Sequence, residues 1–200
     1  MIPAEATALV LLAAGRSLRF DGASRDKLAE EFLDKPLALH VVVALEAVPF
    51  KRRIAVVSGT VVDFAARGYE VVTNPEPARG MARSLCFGIE AAYKAGAQAV
   101  IIALADMPRV TAAHIYRLLD YASGPDAVLA SSDGVRPRPP ALFGRNHFDV
   151  LMTLEGDQGA REMIARAHHV ITSEAELVDV DTVEDLERLR DLYGLDGDGK

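Results

Sequence analysis

Ala8-Leu9-Val10-Leu11-Leu12-Ala13-Ala14-Gly15-Arg16-Ser17-Leu18-Arg19-Phe20, running on through Asp21-Gly22-Ala23-Ser24-Arg25-Asp26 to Lys27, decides how the chain is read. An apolar run stops at Gly15 and gives way to a polar loop holding Arg16, Arg19, Arg25 and Lys27. A buried parallel strand that delivers the backbone into an anion-binding turn has this pattern. Ala13, Ala14 and Gly15 carry little or no side chain, so a ligand can lie directly against the backbone. N–H groups exposed in such a turn point at phosphate oxygens, and the cations beyond add charge-assisted hydrogen bonds to a polyphosphate. The bland alternative is a strand, a turn and a solvated basic loop, because one small-residue turn is a weak motif.

The rest of the chain alternates in the same manner. Pro36 opens a helical pattern that ends at Val48, with Asp34 upstream as a cap. Apolar strands follow at 54–57, 69–72, 100–104 and 127–130, separated by a short helix at 61–67, a helix from Met81 to Lys94 and one from Thr111 to Tyr121. Strands alternating with helices predict an α/β domain with a mainly parallel sheet covered on both faces. Residues 137–140 resist helix and lead into an extended edge segment at 141–143. Helices are expected at 145–154, 160–167 and 182–192, a strand end at 178–181, and a frayed tail at 194–200. The expected organisation is one domain over residues 1–193. In such sheets ligands bind beyond the carboxyl ends of the strands, where Gly15, Asn74 and Asp106 fall together.

Composition narrows the chemistry. Two hundred residues, half of them apolar, suit one sizeable core. A net charge of −7 argues against a nucleic-acid or anionic-membrane surface, and the absence of Trp weakens any stacking platform. The chain opens without a basic signal region, its apolar runs are short of a membrane span, and a cytoplasmic protein is expected. Cys86 is the single cysteine and reads as core, and the five dispersed histidines read as structural. No nucleophile elbow, Walker lysine or dinucleotide glycine fingerprint is present. Asp106, closing the most apolar strand just before Pro108, is placed either to hold Mg²⁺ or to cap a turn. Asp179 and Asp181 alternate along an extended segment, so one of them can reach the crevice, and Asp181 can equally cap the helix after it. A phosphate loop, a strand-end carboxylate and no evident base fit attack by a phosphate monoester on a nucleoside triphosphate, because the nucleophile is already anionic.

Several ordered motifs carry a family resemblance. They are Leu12 to Phe20 with Lys27-Leu28, Asn74-Pro75 with Gly80-Met81, Ser84-Leu85 and Gly88, Asp106-Met107-Pro108 to Thr111, Pro139 to Gly144, Gly156 to Arg161, and Asp179 to Leu186. In these the chain resembles the nucleotidyltransferases that attach a nucleotide to the molybdenum cofactor, within the sugar-nucleotide pyrophosphorylase-like group. The resemblance implies a Rossmann-like, three-layer α/β/α nucleotide-diphospho-sugar transferase-like fold, Mg²⁺ as cofactor and release of pyrophosphate. It implies that Ala13, Ala14, Gly15 and Arg16 line the triphosphate and that Arg19 and Lys27 neutralise the leaving pyrophosphate. Gly80 and Ser84, with Asn74, then contact base or ribose, and Asp106 holds Mg²⁺ with Asp179 or Asp181. Asp157 and Arg161 face the pterin. Ala14 stands where guanylyl-transferring members carry glycine, which favours CTP over GTP. The implied partners are CTP (or GTP), molybdopterin and a molybdoenzyme receiving the product, with no nucleic acid and no membrane. Other outcomes keep part of the motif set: a different phosphorylated acceptor, or a non-catalytic accessory that carries the cofactor. The segment from Gly15 to Lys27 is longer than the usual family loop and holds Asp21, and Glu30 and Glu31 add further acidity beside it.

Overall fold

In a computed structural model, which describes residues 1–15, 20, 25–156 and 159–193, the opening apolar run forms β1 (Thr7–Ala13), buried at all seven positions. Burial on both faces requires partners on both edges and cover above and below. β1 pairs in parallel with β4 (Arg52–Val57) on one edge and β6 (Ala99–Leu104) on the other. Between β1 and β4 lie a two-residue-per-strand hairpin, β2 (Glu31–Phe32) and β3 (Lys35–Pro36), and helix α1 (Leu37–Ala44). β5 (Glu70–Thr73) extends the sheet beyond β4, and α2 (Met81–Lys94) then returns the chain to β6. Helix α3 (Ala112–Tyr121) leads to β7 (Val128–Ser132) and β8 (Pro137–Gly144). After α4 (Phe148–Met152) and α5 (Gly159–Ala165) come β9 (His168–Ile171) and α6 (Val183–Asp191). The seven-stranded order is β5-β4-β1-β6-β8-β7-β9, and β8 alone runs against the rest.

Alternation along β1 divides the core. Leu9, Leu11 and Ala13 pack with Val41 and Val42 of α1 and with Leu45 just after it, on the face that also takes Ile115 and Leu118 of α3. Ala8, Val10 and Leu12 pack with Leu85, Ile89 and Ala92 of α2 and with Phe148 and Leu151 of α4. The expected three layers are present. A Cβ on Gly88 would lie 2.4 Å from Cγ1 of Val10, so a glycine lets α2 sit directly on β1. A smaller cluster of Phe20, Phe32, Leu37, Val180, Leu186 and Leu189 ties the hairpin to α6. No helix among the described residues is long and apolar enough to cross a membrane.

Four local expectations fail for identifiable reasons. The 61–67 helix shrinks to a 3₁₀ turn at Ala65–Arg67, because Asp63 accepts a hydrogen bond from Ala66 N (3.0 Å), a cap that starts the turn only after it, and Gly68 at φ 76° ends it. The 141–143 segment is interior, not an edge: Ala141, Leu142 and Phe143 pair with β6 on one side and β7 on the other. The prolines that suggested an edge stand beyond the β6 pairing, past a register shift opposite Ala130 and Ser131. Residues 178–181 enter no ladder, and Val180 N instead donates to the Asp106 carbonyl (3.0 Å). Asp34 does not cap α1. It sits in the hairpin turn beside Lys35 (3.1 Å), and the N-cap position is Pro36. The expected tail at 194–200 lies outside the described residues.

Candidate active site

The chain builds β1, β4 and β5 toward one edge, then crosses back to place β6 on the other side of β1. That reversal opens a crevice between the carboxyl ends of β1 and β6, the position where open α/β sheets bind ligands. Ala13, Ala14 and Gly15 leave β1 there, and a Cβ at Gly15 would meet nothing within 4 Å. Asp106 leaves β6 two residues after its last strand position, and Asn74 follows β5.

The charged centre is assembled from three distant stretches. Lys27 Nζ lies 2.7 Å from Asp106 Oδ2 and 3.4 Å from Asp181 Oδ1, with 8% of the lysine side chain exposed. The backbone around Lys27 is pinned by Asp26. One Asp26 oxygen accepts from Leu28 N (3.1 Å), and the other accepts from Thr60 Oγ1 (2.7 Å) and Val61 N (2.9 Å). The bond from Val180 N to the Asp106 carbonyl brings Asp181 alongside. Burial raises the Asp106 carboxyl above the ordinary range, Lys27 opposes that rise, and Asp181 and Asp179 add to it. Asp106 Oδ1 is buried with no hydrogen-bond partner among the described residues. An orphaned carboxylate oxygen beside a second carboxylate fits a hard divalent cation. Among the described residues no three His, Cys, Asp or Glu side chains gather as a metal-holding group.

A cavity of about 450 Å³ opens beside this centre. Its apolar wall includes Leu12, Leu85, Ile102 and Ile164, and Arg138, Arg161, Asp106, Asp179 and Asp181 border it. Asp179 is half exposed and lies 3.8 Å from Arg138, which also donates to Asp133 Oδ2 (3.1 Å) and the Leu177 carbonyl (3.3 Å). Asp181 therefore reaches Lys27 and Asp179 reaches Arg138. The backbone N–H groups of Arg136 and Val135 hold Asp133 below the usual carboxylate range, keeping it charged opposite Arg138.

Asn74 and Ser84 are buried and bonded to each other, Asn74 Nδ2 donating to Ser84 Oγ (2.9 Å) while Asn74 Oδ1 accepts from Glu76 N (2.8 Å). They brace the 74–80 loop against α2. Gly80 occupies the N-cap of α2 at φ 90°, a conformation that favours glycine. Arg25 pairs with Glu30 through Nε and Oε1 (2.8 Å), so that acidity is internally matched. Arg16, Arg19, Asp21 and Asp157 lie outside the described residues.

Three contributors escaped the sequence reading. Asp26 carried a faint signal, an Asp ahead of a turn. Phe20 is fully buried in the hairpin cluster with Phe32 and Leu37. Arg138 had no local signal, since the antiparallel course of β8 is what carries its first residues to the carboxyl end of β6.

Comparisons with known proteins agree with this architecture. Residues 9–170 match the MobA-like NTP transferase domain. The purine catabolism protein PucB of Bacillus subtilis (strain 168) is 30% identical over 118 residues, covering 56% of this chain and 57% of PucB, so the chain spans little more than half that relative's length. A nucleotidyl transferase from Methanothermobacter thermautotroptrophicus superposes with a TM-score of 0.79 at 23% identity, over 94% of this chain and 97% of the other. Molybdopterin-guanine dinucleotide biosynthesis protein A from Archaeoglobus fulgidus does so with a TM-score of 0.65 at 16% identity, over 94% and 98%. With that match over most of its length, the chain belongs to the MobA-like NTP transferase domain family.

Proposed function

We propose that the protein transfers CMP from CTP to the phosphate of molybdopterin and releases pyrophosphate. An oxygen of the acceptor phosphate attacks the α-phosphorus, a phosphoanhydride forms, and the bond to the β,γ-pyrophosphate breaks with its electrons leaving on pyrophosphate. No proton has to be removed, so positioning and charge neutralisation supply the catalysis.

The observation that carries the reading is the Lys27–Asp106–Asp181 centre at the switch point, with one Asp106 oxygen unpartnered among the described residues. Asp106 and Asp181 are the residues to hold Mg²⁺, which supplies charge neutralisation of the phosphates when bound. Asp179 serves Arg138 instead. Ala13, Ala14, Gly15 and Arg16 line the triphosphate, and Lys27 with Arg19 neutralises the departing pyrophosphate. Gly80 and Ser84, braced by Asn74, border base and ribose. The apolar wall suits a flat ring system, Arg161 and Arg138 border it, and Asp157 is assigned to the pterin with them. Ala14 is buried in the α2 cluster, and its methyl group disfavours a purine there. A molybdoenzyme then takes the product.

The test is to supply molybdopterin, Mg²⁺ and either CTP or GTP, each labelled at the α-phosphorus. Label entering an acceptor-bound product from CTP, with much less from GTP, supports the proposal. Transfer from GTP alone overturns the base assignment, and transfer from neither overturns the acceptor.

A further inference from the structure

The ammonium of Lys27 lies between the same two carboxylates that the proposed function gives to Mg²⁺, 2.7 Å from Asp106 and 3.4 Å from Asp181. One notch has two claimants of like sign. A tethered ammonium satisfies both carboxylates without any ion having to shed water, whereas Mg²⁺ dehydrates reluctantly. We infer that Lys27 is the resident counter-ion of the metal site and must leave the Asp106–Asp181 notch before a divalent cation enters. This rests on the metal assignment made above.

The surrounding structure allows the exchange. The backbone at Lys27 is fixed by the three hydrogen bonds to Asp26 and by Ala29 N donating to the Asp26 carbonyl (3.0 Å). Motion is thus confined to the flexible four-carbon stem, which can redirect the ammonium while the turn stays in place. The polyanionic triphosphate provides the alternative partner. Its arrival draws Lys27 off the carboxylates and brings a dication to them, so metal and nucleotide bind with positive coupling and each binds poorly alone. The enzyme would in this way hold its metal site closed until substrate is present. Asp106 Oδ1, without a hydrogen-bond partner among the described residues, gains one in the loaded state.

The experiment measures binding of Mn²⁺ alone, by the loss of its free-ion electron paramagnetic resonance signal, to wild type, Lys27→Gln, Asp106→Asn and Lys27→Gln/Asp106→Asn. Glutamine keeps an N–H donor for Asp106 but removes the competing charge. If Lys27 fills the notch nine-tenths of the time, vacating it tightens Mn²⁺ binding about ten-fold. The double variant then loses that gain. Equal Mn²⁺ affinity in wild type and Lys27→Gln, with binding still abolished by Asp106→Asn, overturns the counter-ion role and leaves the metal assignment intact. Mn²⁺ binding that survives Asp106→Asn overturns the metal assignment itself. A measurement on unaltered protein guards against a variant that does not fold: the acetylation rate of Lys27, followed by peptide mass spectrometry. Mn²⁺ should raise that rate several-fold by driving the ammonium out, and a rate unchanged at saturating Mn²⁺ overturns the inference.

Discussion

Replacing Lys27 by methionine keeps the apolar stem and removes the charge that faces Asp106 at 2.7 Å. Breaking a buried ion pair on one side costs about 3–5 kcal/mol, because the remaining charge is left without a partner. Asp106 keeps 21% of its side chain exposed, and its carboxyl can take up a proton, which lowers the cost to about 2–3 kcal/mol. For a chain of this size that is a fall in Tm of about 4–12 °C. The pH dependence follows from the direction of the Asp106 shift. Burial raises its folded pKa while Lys27 opposes the rise, so removing Lys27 raises it further. A carboxyl with a raised folded pKa contributes its full stability below the ordinary value of about 3.9 and loses it as pH climbs through the folded value. The deficit of Lys27→Met relative to wild type is therefore smallest at acid pH and grows as pH rises, so it is compared from pH 5 to pH 8. Urea denaturation of both proteins across that range measures it, and Lys27→Met/Asp106→Asn should recover most of the loss at pH 8. A deficit that ignores pH, or a double variant no more stable than the single one, would refute the reasoning.

Asp26→Ala removes the acceptor of three hydrogen bonds around Lys27. Water can replace part of them, so thermal unfolding should show a loss of about 1–2 kcal/mol, whereas turnover should fall about 100-fold through misplacement of the ammonium. Gly88→Ala puts a methyl group 2.4 Å from Val10 Cγ1 and should cost about 1–3 kcal/mol in denaturant titration by overpacking α2 on β1. His114 is buried, with Arg117 Nη2 donating to Nδ1 (3.0 Å) and Nε2 donating to Ser131 Oγ (2.6 Å), an arrangement that requires the neutral ring. Burial lowers its pKa, so its contribution is complete above the ordinary value of about 6.5 and is lost as pH falls below it. Wild type should lose stability between pH 7 and 5 more steeply than His114→Asn, as followed by calorimetry.

The parallel half of the sheet was legible because buried strands are written as continuous apolar runs that local pattern alone reveals, as in β1 and β6. Helix α2 was equally plain, with its apolar stripe and a glycine leading into it. The 3₁₀ turn at Ala65–Arg67 and the interior position of β8 were not legible, since both depend on competition between local and distant partners. In the candidate site, the motifs pointed to Lys27 and Asp106 separately, but their mutual contact spans 79 residues of sequence and no spacing rule encodes it. The alternation read for Asp179 and Asp181 does not hold, because residues 178–181 enter no ladder and both carboxylates border the cavity, Asp181 near Lys27 and Asp179 near Arg138. His168 and His169 read as structural and fall in β9, an edge strand too short and too polar for its period to register.

Pyrophosphate release with Mg²⁺, CTP and molybdopterin, compared between wild type and a folded Asp106→Asn variant, tests the central claim most directly. The account predicts release by the wild type and a fall of at least about 100-fold in the variant, from loss of a carboxylate that would hold the charge-neutralising Mg²⁺, with the fold retained by circular dichroism. Release by Asp106→Asn at the wild-type rate would contradict it.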